Sequence, residues 1–188
     1  MYAQLSDAQT QYLRKIVKGK VVADLGCGDG VLTRLLARWG ASFVHGVDKE
    51  LPPSRRTKKI RWHTSYFAYW TLPTDTDIAV VSWPRNGGIL GLVELTRAAR
   101  EVIYIGKNTD WIACGTPALM GTLQQREALQ YIPDRGNVLI HYGPGPRSTP
   151  HLYHEEFAGM FEGPDAPAYN PDLDMRPCDE WRGRSQEA

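Results

Sequence analysis

Residues 21–30 read VVADLGCGDG, an apolar run that carries one carboxylate, Asp24, and then places glycine at every second position, Gly26, Gly28 and Gly30. Glycines spaced in this way permit a sharp turn and positive φ, and they let backbone N–H groups approach a ligand with no Cβ in between. A helix starting just behind such a turn favours negative charge there. Cys27 lies inside the turn. A second acid, Asp48, closes the apolar segment VHGVD, 22 residues after Gly26, with Lys49 beside it. A carboxylate at the end of a second strand can accept hydrogen bonds from two ribose hydroxyls. The chemistry predicted from these residues is the binding of a nucleoside-type ligand.

Two ligands of that type compete. A dinucleotide fingerprint needs GxGxxG, but the third glycine comes one position early and Val31 stands where the last should fall, which disfavours an NAD-dependent oxidoreductase. The stretch instead matches DxGxGxG through Asp24, Gly26, Gly28 and Gly30, and so resembles motif I of the class I S-adenosylmethionine-dependent methyltransferases. The resemblance runs over about residues 5–142, outside the motifs by pattern alone. It implies a Rossmann-like domain that binds S-adenosylmethionine through Asp24, Gly26, Cys27, Gly28, Gly30, Asp48 and Lys49, with Asp24 near the cofactor's amino-acid end. In that family an acidic or amide residue after the third strand often reads the adenine. RWHTSYFAYW holds none, so Thr64 or Ser65 would supply the contact and Trp62, Tyr66 or Phe67 an aromatic face.

After the fourth strand, SWPRNG is similar in part to the (D/N/S)PP(Y/F/W) loop of methyltransferases that act on amino nitrogens. Ser82 and Pro84 fit, whereas Trp83 replaces the first proline and Arg85 the aromatic. The resemblance therefore implies a catalytic set of Ser82, Trp83, Pro84 and Arg85, in which Trp83 stacks on a planar acceptor and Arg85 grips an acidic group. The competing reading is a strand-end turn with Trp83 plugging the sheet. Methyl transfer depends mainly on alignment, and a general base is needed only where the acceptor's proton must leave early; His63 and His141 are the candidates. His151, His154, Glu155 and Glu156 in HLYHEE read as a solvated helix face rather than a metal site. The implied activity is methyl transfer to an unidentified small molecule, protein or RNA. The missing acid after strand three and the altered SWPR loop also suit a second reading, a binding or regulatory module without turnover.

These residues need a scaffold, and the periodicity supplies one. Residues 5–17 set Leu5, Ala8, Tyr12, Leu13, Ile16 and Val17 on one helical face behind a Ser6/Asp7 cap. Residues 31–39 predict a second helix with a stripe of Val31, Leu32, Leu35, Leu36 and Trp39. SFVHGVD, KKIRWHTSYF, DIAVVSW and EVIYIG read as further strands. A helix capped by Asn86 precedes the last of them, and another, with Pro117 in its first turn, follows it. LQYI and VLIHYG form a hairpin across PDRGN. The alternation predicts an α/β fold: a seven-stranded, mostly parallel sheet with helices on both faces and an antiparallel C-terminal hairpin.

The composition of the 188 residues, 42% hydrophobic and 23% charged, is that of a globular protein with one domain, placed at 1–150. No apolar leader or membrane-length run occurs, which predicts cytoplasmic residence. Cys27, Cys114 and Cys178 are far apart and suit neither a disulfide framework nor a zinc site. The net charge of +1 hides an asymmetry: residues 1–150 hold 19 basic and 12 acidic side chains, residues 151–188 hold 3 and 9. The latter stretch reads as a short helix and an extended acidic, Pro-rich tail, laid along the domain by Tyr169, Met175 and Trp181 or taken up by a protein partner. Arg55, Arg56, Lys58, Lys59 and Arg61, with Arg14, Lys15, Lys18 and Lys20, could meet phosphates. Without an appended recognition domain, sequence-specific DNA readout is not expected.

Overall fold

The computed structural model describes residues 5–50, 57–84, 89–107, 116–134 and 137–145. Four helices, α1 (Asp7–Ile16), α2 (Val31–Arg38), α3 (Ile89–Ala98) and α4 (Pro117–Gln124), alternate with seven strands. The strands are β1 (Val21–Leu25), β2 (Phe43–Asp48), β3 (Ile60–Thr64), β4 (Ile78–Ser82), β5 (Glu101–Gly106), β6 (Ala128–Asp134) and β7 (Asn137–Tyr142). They form one sheet in the order β3-β2-β1-β4-β5-β7-β6, parallel through β5 and antiparallel at β7 and β6, as the alternation predicts. The order reverses between β1 and β4, so the crevice beyond their carboxyl ends, where ligands bind in open α/β sheets, is bordered by the glycine turn.

Strands covered on both faces must be apolar nearly throughout, and β1, β4 and β5 are. Alternate residues feed two cores. Val22, Val44, Ile78, Val80 and Ile103 meet α1 and α2 through Leu13, Val17 and Leu36. Ala23, Val47, Ala79, Val81 and Tyr104 meet α3 and α4 through Leu92, Leu95, Leu119 and Leu123. The link from β3 to β4 contains only a 3-10 turn, Phe67–Tyr69, which lies directly on α3. Gly91 makes that approach feasible, since a Cβ there would fall 2.7 Å from Ala68 Cα and nearer still to its backbone nitrogen.

Local chemistry sets the ends. The Ser6 hydroxyl accepts from Gln9 N–H while Gln9 Oε1 accepts from Ser6 N–H, a capping box that starts α1. Gln9 is fully buried and also donates through Nε2 to Ile132 O (3.0 Å) and Asn137 Oδ1 (2.9 Å), fastening α1 to the hairpin. Thr116 caps α4, with Pro117 in its first turn where no N–H is needed.

The structure departs from the sequence reading in three places. Val31, assigned to the apolar stripe of α2, is 40% exposed, and Thr33 is buried instead, for a reason given below. β6 runs through Pro133 to Asp134, longer than LQYI; as an edge strand paired only with β7 it tolerates a residue without an N–H. TPALMGTLQQREA, residues 116–128, reads as one helix, but α4 ends at Gln124 and Arg126 lies beyond it, buried. The assignments made for Arg55, Arg56, Arg85, Asn86, Cys114, Cys178 and residues 151–188, including His151, His154, Glu155 and Glu156, lie outside the described residues. Among the described residues no helix is long and apolar enough to cross a membrane.

Candidate functional site

All three glycines of the turn adopt left-handed backbone, φ 81° at Gly26, 53° at Gly28 and 71° at Gly30, conformations that side chains disfavour. Hydrogen bonds stitch the turn to the end of β2. Gly26 N–H and Cys27 N–H both donate to Val47 O (2.8 and 3.1 Å), and Gly28 N–H donates to Asp48 Oδ2 (2.8 Å). Gly30 N–H donates to Cys27 O (2.8 Å) and Gly30 caps α2. The expectation that these N–H groups meet a ligand is thus corrected: all four are used inside the chain. A pyrophosphate would find no cradle in them.

What the turn offers instead is negative charge. Asp24 is 1% exposed and lies under α2, where its Oδ2 accepts from Thr33 Oγ1 at 2.6 Å and its Oδ1 has no protein partner. This contact explains why a threonine occupies the buried face of α2. Burial pushes the Asp24 carboxyl up to about 7, Thr33 opposes the rise, and the nearby Asp48 charge adds to it. Cys27 is buried beside these acids; desolvation first, and then Asp24 and Asp48, raise its thiol, so it stays protonated and is no nucleophile.

Asp48 is half-buried and joins three elements. Its carboxylate accepts from Gly28 N–H and, through Oδ1, from Glu50 N–H (3.2 Å), while its carbonyl accepts from Ser65 N–H (3.0 Å). Each carboxylate oxygen keeps a further lone pair for a ribose hydroxyl. Lys49 is exposed and lies 3.7 Å from Glu50. Thr64 is exposed at the end of β3, in register with Asp48. The Ser65 hydroxyl donates to Tyr66 O (3.0 Å), a local use the sequence did not indicate.

The three aromatic candidates separate. Trp62 packs on the α1–α2 core, its ring within 2.8 Å of where a Cβ on Gly46 would lie and similarly crowding Gly30, so it is no adenine wall. Phe67 borders the turn, with its Cζ 3.7 Å from the Cβ position of Gly26. Tyr66 is 55% exposed beside it.

The predicted catalytic set is only partly brought together. Ser82 ends β4 half-buried and Pro84 is buried. Trp83 is the one non-glycine residue with positive φ (48°) among those described; its N–H donates to Ile105 O (2.7 Å) and its ring packs against the α1–α2 core. With its ring half-buried against that core, Trp83 has the packing of a plug in the sheet rather than of a freely exposed stacking face. Neither histidine stands ready as a base. His63 Nε2 shares a hydrogen bond with His45 Nδ1 (3.0 Å) beside the Trp70 ring, and burial lowers the proton affinity of both imidazoles. His141 lies between Tyr12 Oη (2.8 Å) and Glu101 Oε2 (3.1 Å), on α1 and the amino end of β5. Among the described residues no group of three or more His, Cys, Asp or Glu could hold a metal ion.

Comparison with known proteins bears on this geometry. No family model matches the chain. Protein arginine N-methyltransferase 1 of Dictyostelium discoideum is 54% identical over 35 residues, 19% of this chain and 10% of that protein, so the chain matches about a tenth of that relative's length. The solved 1,6-didemethyltoxoflavin-N1-methyltransferase of Burkholderia thailandensis, with bound S-adenosylhomocysteine, superposes with TM-score 0.56 at 15% identity, covering 73% of this chain and 78% of that one. The N-methyltransferase NodS of Bradyrhizobium japonicum WM9 gives 0.52 at 12% identity, covering 74% and 94%. At such identities the likeness establishes the fold: this is the Rossmann-like fold of class I S-adenosylmethionine-dependent methyltransferases.

Proposed function

We propose that this chain, built on the class I methyltransferase fold, binds S-adenosylmethionine at the glycine turn and transfers its methyl group to an acceptor presented beyond β4. One observation carries the reading. The N–H groups of Gly26, Cys27, Gly28 and Gly30 are used within the chain, and the carboxylates of Asp24 and Asp48 adjoin the turn, with Asp24 Oδ1 lacking a partner among the described residues. That acceptor set suits a nucleoside bearing positive charge and disfavours an anion at the turn. When bound, S-adenosylmethionine supplies a methyl group on a sulfonium centre. Asp48 would hold the ribose hydroxyls, Asp24 would offset the positive charge from below, and Phe67 would close the turn's open side. Ser82, at the end of β4 and beside the switch in strand order, would orient the acceptor. The contribution of the chain is alignment rather than proton transfer, consistent with both candidate histidines being engaged elsewhere.

The half-buried packing of Trp83 against the core favours a second reading, a binding or regulatory module on the same site. Labelled methyl donor offered to pools of RNA, DNA, protein and small metabolites separates the two. Incorporation into one pool, lost in Asp48→Ala, is the expected result. A chain that binds S-adenosylhomocysteine yet labels nothing is the module, and the transfer reading then fails.

A further inference from the structure

The edge strand β3 and the turn after it carry a second surface. From residue 57 to residue 73 the chain has three cations, Lys58, Lys59 and Arg61, all exposed, and no carboxylate. The neighbouring segments, residues 8–20 and 30–47, add six Lys and Arg and again no Asp or Glu. Backbone contacts join these segments: Val44 N–H donates to Lys59 O, Ser42 N–H to Lys20 O and Gly19 N–H to Gly40 O, each at 2.8 Å. These segments carry nine Lys and Arg and no Asp or Glu, with Lys20 lying 3.8 Å from Asp77, and the surface field of such an excess attracts polyanions.

At the carboxyl end of β3 cations give way to aromatic rings. Tyr66 and Tyr69 are 55% and 68% exposed, with ring centroids 6.5 Å apart and planes at 85°. They flank Phe67, which borders Gly26, and the Ser65 N–H ties the start of this segment to Asp48 O. The edge therefore leads from Lys58 and Lys59, over about 16 Å of extended strand, to two exposed rings at the rim of the glycine turn. Among the described residues β3 pairs only with β2 and is an edge strand of the sheet. At that rim Asp48 accepts from the Gly28 and Glu50 N–H groups and Glu50 lies 3.7 Å from Lys49, so the negative charge sits at the turn and the cations at the far end of the edge.

We infer that this edge is a track for a single-stranded polynucleotide, with phosphates along Lys58, Lys59 and Arg61 and bases stacked on Tyr66 and Tyr69. A basic groove interleaved with exposed aromatic faces binds strands whose bases are unstacked; a duplex hides them. An acidic peptide would match the cations but make no use of the rings. The track delivers a base to the turn, and so names the acceptor class; this last step rests on the methyl-transfer reading, whereas binding to the track does not.

The test is fluorescence anisotropy of the full chain with labelled 15-nucleotide single-stranded RNA, the same sequence as single-stranded DNA, the duplex, and a poly-glutamate peptide, between 50 and 200 mM salt. Single strands should bind more tightly than duplex or peptide, and the RNA and DNA arms identify the natural strand. Lys58→Gln with Lys59→Gln should lower the salt slope by about 1.4 while S-adenosylhomocysteine binding stays unchanged. Tyr66→Ala and Tyr69→Ala, folded by circular dichroism, should each weaken binding roughly 5- to 150-fold with little change of slope. Failure to bind single strands by a chain that binds S-adenosylhomocysteine overturns the track alone, as does tighter binding of the peptide or indifference to both tyrosines. Oligonucleotide binding without S-adenosylhomocysteine binding upholds the track and sinks the ligand reading instead.

Discussion

Asp24→Asn is expected to make the chain harder to unfold at pH 8 and, at the same time, a poorer binder of its ligand. The carboxyl is 1% exposed and burial raises it from 3.8 to about 7. Between those two values the folded chain retains a proton that the unfolded chain has released, so its contribution to stability declines as pH rises through the window. Three units correspond to at most about 4 kcal/mol. The amide removes that penalty and can still accept from Thr33. Urea unfolding of wild type and Asp24→Asn at pH 5 and pH 8 should therefore show a gap that widens with pH. His45 and His63, whose proton affinities burial lowers, act oppositely, adding stability as pH rises through 6.5, but they are common to both proteins and cancel in the comparison. Affinity for a cationic ligand should fall about tenfold or more with the lost charge, and wild type near pH 6.5 should release protons on binding. Equal stability at pH 8 would contradict the buried charge.

Arg126→Ala should bring the protein close to unfolding. Arg126 is 6% exposed and among the described residues no carboxylate pairs with it; its guanidinium donates to the carbonyls of Thr96, Arg97 and Ala99 at the end of α3, to Arg100 O just beyond it and to Gly143 O beyond β7. A helix end leaves such carbonyls without partners, and one buried arginine serves three of them here. Hydrogen bonds from a charged donor contribute about 1.5–3 kcal/mol each, so deletion should cost roughly 4 kcal/mol out of a typical total of about 5–15. Arg126→Lys, with three donors, should recover part of it. Chemical denaturation midpoints within about 1 kcal/mol of wild type for Arg126→Ala would show that water replaces the side chain without loss.

The sheet was legible because β1, β2, β4 and β5 are short apolar runs bounded by glycine, proline and charge, a pattern that survives any detail of packing. The glycine turn was legible for a similar reason: three left-handed residues in one loop leave a direct mark on residue type. What escaped were polar side chains with buried partners distant in sequence. Gln9 reads as an ordinary helix residue until the hairpin closes on it, Thr33 interrupts an apolar stripe to serve Asp24, and Arg126 follows a helix it does not belong to. Trp83 illustrates the opposite error. Its position after β4 matches a catalytic loop, but its direction is set by a left-handed φ and by the core beneath it, neither of which spacing records. The N–H groups of the turn read as ligand donors because nothing in the sequence shows that Val47 O, Cys27 O and Asp48 take them first.

Calorimetric titration of S-adenosylhomocysteine and of NAD into wild type and Asp48→Ala at pH 7 tests the central claim most directly. Wild type should bind the sulfur nucleoside in the micromolar range and give no heat with NAD. Asp48→Ala, folded by circular dichroism, should lose affinity by about 100-fold as the ribose acceptors and the anchor of Gly28 go together. Binding of NAD in place of S-adenosylhomocysteine, or wild-type affinity in Asp48→Ala, would contradict a sulfur-nucleoside site at the glycine turn.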